Sequence, residues 1–246
     1  MQGHVSILSV SPEAAAMIAS GGRISTMDGT ADEIYANSLS AGQEKNEKLI
    51  GKVLSSGHTS VLEHCYVNLS FENVSVLAEQ FLIEFRLASF TVKSRRYVDF
   101  SKAGYVSPVF TDNVQMAIFE RTVESLFGTY DVLEAAGVPK EDARFVLPYC
   151  FCSNFFCSMN ARELVHVMNE LAYGRGSRIP ELRALGESLF AQCEQQIPFL
   201  AVRKPEAYRQ SDAFCLRQVQ LLTSKAPVTV LAAPQDAEGL ICGAYQ

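Results

Sequence analysis

The sequence has no tryptophan, only four histidines and no long apolar run, although 48% of its residues are hydrophobic. A membrane helix needs about 20 consecutive apolar residues, so we expect no membrane-spanning segment. The opening segment MQGHVSILSV lacks a basic region followed by a long apolar stretch, which predicts no secretory signal and a cytoplasmic protein. The net charge of −6 argues against a general nucleic-acid-binding protein.

The cysteine pattern does not indicate a disulfide framework or a zinc site. Seven cysteines are an odd set on a chain for which we expect no export. Cys150, Cys152 and Cys157 lie in the apolar run PYCFCSNFFCSMN, which has no C-x-x-C pair and no nearby histidine. Cys150 and Cys152 would share one face of a strand, so a metal is one interpretation and a buried apolar pair is the favoured one. We therefore predict no metal site.

The hydrophobic pattern predicts one α+β domain over residues 1–223 and a C-terminal tail over 224–246. The expected helices cover 11–20, 31–55, 74–86, 112–136, 160–173, 180–195 and 205–223. Strands are expected over 64–72 and 153–160, with a strand or loop over 87–100. Gly21-Gly22 should end the first helix, and Asn73 should cap the helix at 74–86.

The first group of polar residues lies in GHTSVLEH, which contains His58, Ser60, Glu63 and His64. The spacing does not form an H-E-x-x-H zinc motif. One interpretation is a polar loop that presents His58 and Ser60 to a ligand. The other is a surface histidine followed by a polar pair at the start of a strand, and these residues alone favour the second.

The second group is an eleven-residue segment without an acid, inside an acidic protein. Its cationic and hydroxyl side chains are Arg86, Lys93, Arg95, Arg96, Ser89, Thr91 and Ser94. Such side chains suit a phosphate dianion. If the segment is extended, Ser94 and Arg96 share one face while Arg95 points away. A solvated basic strand edge explains the same residues equally well.

The third group combines ARFVLP, which contains Arg144, with the helix that begins after Asn160. Arg162, His166 and Asn169 follow one another on a single face of this helix. A polar helix face is ordinary solvent-exposed surface, and the residues alone favour that interpretation.

Together the segments GHTSVLEH, RLASFTVKSRRYV and ARFVLP…MNAREL resemble the flavin-dependent thymidylate synthases, in the family's order and spacing, from about residue 5 to residue 200. The resemblance implies an α+β fold in which helices flank an antiparallel sheet, and a homotetramer with active sites between subunits. It also implies transfer of a methylene from methylenetetrahydrofolate to carbon 5 of dUMP. FAD, reduced by NADPH, then supplies a hydride, and no cysteine attacks the uracil.

The resemblance also implies roles for individual residues. The flavin-binding residues would be His58, Ser60, Arg86, Asn160, Arg162 and His166. The residues that bind dUMP, or another pyrimidine nucleotide, would be Ser94, Arg95, Arg96 and Arg144.

Departures from the family pattern concern the flavin and the uracil. The family's R-H-R is Glu84-Phe85-Arg86 here, and the arginine credited with activating the uracil aligns with Leu171. Arg175 is the nearest substitute for that arginine. A charge pair at 4 Å is worth about 4 kcal/mol at an effective dielectric near 20, so an acid at position 84 must pair with a neighbour such as Arg86 or face a different ligand. The alternatives are therefore a divergent synthase and a non-catalytic or repurposed homologue, which binds a pyrimidine nucleotide or a partner subunit without flavin chemistry.

Overall fold

Four strands form one antiparallel sheet in the computed structural model, which describes residues 3–209. They are β1 (His4–Val10), β2 (Tyr66–Ser75), β3 (Ala88–Val92) and β4 (Cys152–Asn160). Their order across the sheet is β1-β2-β4-β3, so β2 and β4 are central. The predicted α+β class and the antiparallel sheet are confirmed.

Eight α-helices and four short 3-10 turns cover the sheet and its edges within residues 3–209. The helices are α1 (Ala14–Arg23), α2 (Ala31–Ala41), α3 (Gln43–Ser55), α4 (Val76–Ile83), α5 (Asn113–Ala135), α6 (Lys140–Ala143), α7 (Ala161–Ala172) and α8 (Pro180–Gln196). The 3-10 turns are Thr59–His64, Arg144–Val146, Arg175–Arg178 and Pro198–Leu200. No helix in this part of the chain is long and apolar enough to cross a membrane.

The main core lies between the sheet and the helices α1, α7 and α8. Alternate residues of β2 and β4 point into it, because successive side chains of a strand face opposite ways. Leu69 pairs with Cys157 and Phe71 with Phe155 across the two strands. The rings of Phe71 and Phe155 stack with centroids 4.7 Å apart. A smaller second core lies against α5 and contains Tyr130 of that helix together with Phe100 and Phe151.

The N-terminal part differs from the expectations in one missed strand and in two helices whose bounds were wrong. β1 was not predicted, although it pairs with β2 along most of its length. Gly21-Gly22 does not end α1, which continues to Arg23, because helix packing tolerates glycine there. The helix expected over 31–55 is two helices, which separate at Gly42 with a φ of +83°.

The cap of α4 also differs from the expectation. Ser75 accepts a hydrogen bond from the Ala78 backbone N–H at 3.0 Å and caps the helix. Asn73 instead has a φ of +52°, at an irregularity in the pairing of β2 with β4. Residues 205–209 are helical, as expected. The rest of the predicted helix and the 224–246 tail lie outside the described residues.

Candidate functional site

The loop that carries His58 and Ser60 follows α3 and is turned by Gly57, which has a φ of +86°. A backbone hydrogen bond from His58 to Val53, 3.2 Å long, fixes this turn. Both His58 and Ser60 are exposed, so their side chains are available to a ligand. The 3-10 turn Thr59–His64, which contains Ser60, also carries Glu63, whose carboxylate pairs with Arg162 of α7.

Asn160 joins the end of β4 to the beginning of α7. Its side-chain oxygen accepts a hydrogen bond from the Glu163 backbone N–H at 2.9 Å and so caps the helix. The segment Asn160-Ala-Arg-Glu163 has the sequence pattern of a capping box, and the structure shows the half of it in which Asn160 accepts from the Glu163 backbone. Because the oxygen serves the cap, the amide group of Asn160 is the part available to donate to a ligand.

His166 lies on the exposed face of α7, one turn beyond Arg162. Its Nδ1 is 2.7 Å from the hydroxyl of Tyr208, and its ring meets the buried ring of Phe85 edge-on at 5.4 Å. Burial raises the pKa of Tyr208 to about 12, so this phenol stays neutral at physiological pH. Phe85, which stands where the family has histidine, therefore packs against His166.

Asn169 does not belong to an exposed polar face, contrary to the surface interpretation of the sequence. It is fully buried, and its amide donates to the carbonyl oxygen of Val202 at 2.8 Å. Its oxygen accepts from the Lys204 backbone N–H at 2.7 Å. Asn169 thus holds the segment after α8 against α7, and only Arg162 and His166 of the predicted face remain accessible.

Glu84 pairs with Arg175 and not with Arg86, which is two residues away in sequence. The Arg175 Nη1 to Glu84 Oε2 distance is 3.0 Å, and Glu170 lies 3.8 Å from the Arg175 Nε. The Arg175 guanidinium also lies over the ring of Phe81 at 5.1 Å. The exposed Arg86 side chain makes no ion pair or hydrogen bond within residues 3–209.

Leu171, which aligns with the family's uracil-activating arginine, is fully buried between α7 and α8. A Cβ added to Gly186 of α8 would lie only 2.8 Å from the Leu171 Cβ, so the two helices touch here. A charged side chain at position 171 would enter the core. Arg175, just after α7, is half-exposed instead.

Two of the predicted nucleotide contacts, Arg96 and Arg144, meet at Glu141, and another, Ser94, contacts the backbone of Arg96. The Arg96 Nε lies 3.2 Å from a carboxylate oxygen of Glu141. The Arg144 Nε donates to the Glu141 backbone carbonyl at 2.9 Å. Ser94 accepts from the Arg96 backbone N–H at 3.3 Å. The sequence analysis missed Glu141, and its position three residues before Arg144 was the available signal.

Arg95 points away from this group, although residues 94–98 form a turn and not the extended segment for which this was expected. Its Nη2 lies 2.5 Å from the Oε2 of the buried Glu79, a residue of α4. The predicted contact between Arg95 and the nucleotide stays a prediction. Glu79 is the one acid of α4, whose other residues are apolar except for Gln80. A charged residue in such a helix needs a partner when it is buried, and this was the signal in the sequence.

Of the residues predicted to bind the nucleotide, Ser94, Arg96 and Arg144 are called the nucleotide set below. Arg86, which is predicted to bind FAD, lies at the opposite end of β3 from Ser94. Arg86 precedes this strand and Ser94 follows it. A five-residue strand is about 17 Å long, so Arg86 and the nucleotide set are far apart within one chain. An apolar cavity of about 510 Å³ lies beside the loop of His58 and Ser60, where Thr59, Leu62 and Val165 contribute to its wall.

Comparisons with known proteins identify the same family throughout. The family model "Thymidylate synthase complementing protein" matches residues 6–199. A flavin-dependent thymidylate synthase of Nitratidesulfovibrio vulgaris is 31% identical over 209 residues, which are 80% of this chain and 84% of that protein. One from Geobacter sulfurreducens is 34% identical over 166 residues, which are 66% and 70% of the two chains.

A solved structure shares the fold. The UMP/dUMP methylase PolB from Streptomyces cacaoi, bound with 5-Br dUMP, superposes with a TM-score of 0.67 at 21% identity. The match covers 81% of this chain and 93% of that chain. At this identity the similarity shows the fold alone.

Proposed function

The chain belongs to the flavin-dependent thymidylate synthase family, the thymidylate synthase complementing proteins, and we propose that it is a divergent enzyme of this kind. The proposed reaction is the reductive methylation of dUMP at carbon 5. Methylenetetrahydrofolate donates the carbon, and FAD and NADPH take part as in the family. The meeting of Arg96 and Arg144 at Glu141, with Ser94 on the Arg96 backbone N–H, carries this proposal.

The nucleotide end of the proposed site holds the phosphate of dUMP. Arg96 and Arg144 provide N–H donors and positive charge, and Ser94 provides a hydroxyl. The side chains of Arg96 and Glu141 are 57% and 52% exposed. An exposed ion pair of this kind is worth about 1 kcal/mol or less. A phosphate dianion is therefore able to displace the Glu141 carboxylate from Arg96.

The residues available to FAD suit a dinucleotide with a charged diphosphate. Arg86 is exposed and without an ionic partner in the described chain, and Ser60 and the Asn160 amide offer hydrogen bonds. Arg175 pairs with Glu84 and so offsets the charge of an acid that would oppose an anion here. FAD, when bound, would supply the hydride that completes the methyl group. His58, Arg162 and His166 are the other side chains that we assign to this end.

We assign to Arg175 the role of polarising the uracil ring. The assignment is supported by its exposure, since Leu171 at the family's position is buried. A uracil carbonyl has to replace Glu84 as the acceptor of the guanidinium N–H groups. Because the pair with Glu84 is half-exposed, its loss costs about 1 kcal/mol or less.

The proposal includes a homotetramer with active sites between subunits. It is supported by the distance between Arg86 and the nucleotide set, which β3 separates within one chain. Exposed apolar side chains on the outer face of the sheet, those of Leu8, Tyr66 and Phe156, offer a surface for subunit contact. A cytoplasmic location belongs to the same proposal.

A second candidate function is that of a homologue that binds a pyrimidine nucleotide, or a partner subunit, without flavin chemistry. The contacts of Glu84 with Arg175 and of Phe85 with His166 favour it. These side chains take up contacts within the chain at the positions where the family has Arg and His. The nucleotide set around Glu141 would be retained in this case.

The deciding experiment loads the purified full-length protein with FAD, removes the excess and records the visible spectrum before and after dUMP is added. A retained flavin band that shifts with dUMP, followed by dTMP formation with NADPH and methylenetetrahydrofolate, supports the synthase. A colourless protein that still binds dUMP supports the second candidate.

A pair of matched variants tests whether Arg144 binds the phosphate of dUMP. Arg144→Gln is expected to weaken dUMP binding by about tenfold or more, since a charge-assisted hydrogen bond to the phosphate is lost. Arg183→Gln removes an exposed arginine of α8 and should leave the affinity unchanged. Equal affinities of Arg144→Gln and the wild type would contradict the assignment.

A further inference from the structure

A buried ion pair lies beneath the segment that carries Ser94 and Arg96. The carboxylate of Glu79 is 2% exposed, and its Oε2 accepts from the Arg95 Nη2 at 2.5 Å. The Ser153 hydroxyl donates to the same oxygen. Gln80 donates to the other carboxylate oxygen at 3.2 Å. The carboxylate is thus surrounded by donors, as a buried charge requires.

The three residues that make the strongest contacts in this buried group belong to separate elements of the fold. Glu79 belongs to α4, Ser153 to β4, and Arg95 to the segment that follows β3. The Arg95 guanidinium also lies over the ring of Phe151 at 5.2 Å. Because its side chain is only 19% exposed and its partner is buried, turning Arg95 outward would leave the Glu79 charge uncompensated. Arg95 is therefore held facing inward.

The backbone around Arg95 is fixed from both sides. The Lys93 N–H donates to the carbonyl oxygen of Asn154 at 3.0 Å, which continues the pairing with β4. The Val98 N–H donates to the Ser94 carbonyl at 3.1 Å and closes a turn. With Arg95 directed inward at the middle of this turn, the side chain of Arg96 lies outward and reaches Glu141.

We propose that Glu79 and Arg95 are positioning residues, which hold Ser94 and Arg96 in place for the phosphate of the nucleotide without touching it. The inference rests on the proposed function for the identity of the ligand. It gives Arg95 a role that differs from the direct contact predicted by sequence. Positioning of this kind matters because hydrogen bonds to phosphate depend on the geometry of their donors.

The test uses the double variant Glu79→Gln/Arg95→Met in the full-length protein. Removing both charges together avoids an unpaired buried charge, so the variant is expected to fold. Calorimetry then gives the affinities for dUMP and for deoxyuridine, which lacks the phosphate. We expect the double variant to bind dUMP about tenfold more weakly, because one charge-assisted hydrogen bond to the phosphate is lost. Its affinity for deoxyuridine should not change.

Two further variants separate positioning from a general loss of stability. Arg95→Lys keeps a cation for Glu79 and should restore most of the preference for dUMP over deoxyuridine. Asn46→Ala breaks a buried contact with Arg23 on the other side of the fold and should leave that preference unchanged. An unchanged preference in the folded double variant would overturn the proposal.

Hydrogen exchange of the free protein keeps the two proposals distinguishable. The Val98 amide should exchange at least tenfold faster in the double variant than in the wild type, because its turn is no longer anchored. Equal protection would show that Arg95 does not fix the segment, and so would refute the positioning role. A wild type that binds dUMP no better than deoxyuridine would instead refute the phosphate site of the proposed function.

Discussion

At position 84 an acid stands where the family has an arginine, and the chain supplies a new cation for it. That cation is Arg175, whose Nη1 lies 3.0 Å from the Glu84 Oε2. Phe85, the residue after Glu84, packs against His166. These two departures from the family pattern therefore each have a partner inside the same chain. The pair of Glu84 and Arg175 is half-exposed, and such pairs contribute about 1 kcal/mol or less. A ligand is able to displace it.

In the proposed site, Glu141 would compete with the nucleotide phosphate for Arg96. Glu141→Gln removes this charge but keeps the backbone carbonyl that holds Arg144. We expect dUMP to bind up to about fivefold more tightly, the equivalent of about 1 kcal/mol for an exposed pair. Calorimetry at low and high salt measures the effect, and deoxyuridine serves as the control ligand. Weaker binding of dUMP would mean that Glu141 orients Arg96 instead of competing for it.

The buried thiols make stability fall at alkaline pH. Burial raises the pKa of Cys157 and of Cys193 to about 12, from an ordinary value of 9.0. Between these values the unfolded thiols lose their protons while the folded thiols keep them, so the free energy of unfolding decreases as pH rises. This contribution is complete below pH 9.0 and is lost towards about pH 12.

Thermal melts of wild type and Cys193→Ala across this pH range check the prediction. The variant should have a lower melting temperature near neutral pH, because a buried side chain is truncated. Its melting temperature should then fall less steeply with pH. Parallel slopes for the two proteins would contradict the role of the Cys193 thiol.

The junction of β4 and α7 determines where several candidate side chains lie. Asn160 ends the strand and caps the helix, so Arg162 and His166 follow on the exposed face of α7. The helix begins without an intervening loop, and its first turn also meets Glu63 through Arg162. This one junction thus links the His58 loop to the helix.

Substitutions of Asn160 should separate its two roles. Asn160→Ala is expected to lower the free energy of unfolding by about 1 kcal/mol, because the cap is lost. Asn160→Asp keeps the cap oxygen and should be as stable as the wild type. Both variants lose the amide donor, and both should bind FAD more weakly.

Thr30→Ala is the matched control, since Thr30 caps α2 in the same manner. It should lose stability to a similar extent without any change in FAD affinity. Denaturant titrations and flavin binding measure the two properties separately. Full FAD affinity in Asn160→Asp would remove Asn160 from the flavin-binding residues.

Within residues 3–209, apolar side chains of three strands are exposed on the face of the sheet opposite the main core. Phe155 of β4 points into the core, whereas its neighbour Phe156 is 59% exposed on the opposite face. Leu8 and Tyr66 are exposed on strands β1 and β2. Contact between copies of the chain across this face would bury these side chains.

Phe156→Lys should therefore weaken the assembly without unfolding the chain. A charged side chain at a subunit interface has to be desolvated, whereas on an exposed strand it costs little. Sedimentation or light scattering should give a smaller mass for this variant than for the wild type. Ile24→Lys, at a similarly exposed position after α1, is the control. An unchanged mass for Phe156→Lys would exclude this face from the interface.

The sequence by itself determined the class of fold and the types of residue in the site. The alternation over residues 64–72 and the capping pattern at Asn160 are local signals, and they predicted the strand β2 and the beginning of α7. β1 was missed because its exposed side chains give little alternation, and its pairing with β2 decides its structure. The motifs likewise indicated the family.

Only the tertiary structure decided which charges meet. Arg175 reaches Glu84, Arg95 reaches Glu79, and Arg96 and Arg144 share Glu141, although the partners of the first three contacts are distant in sequence. Hydrophobic periodicity describes how one element turns its own face to the core. The partner of a charge depends on which elements then pack together, and the packed core fixes that choice.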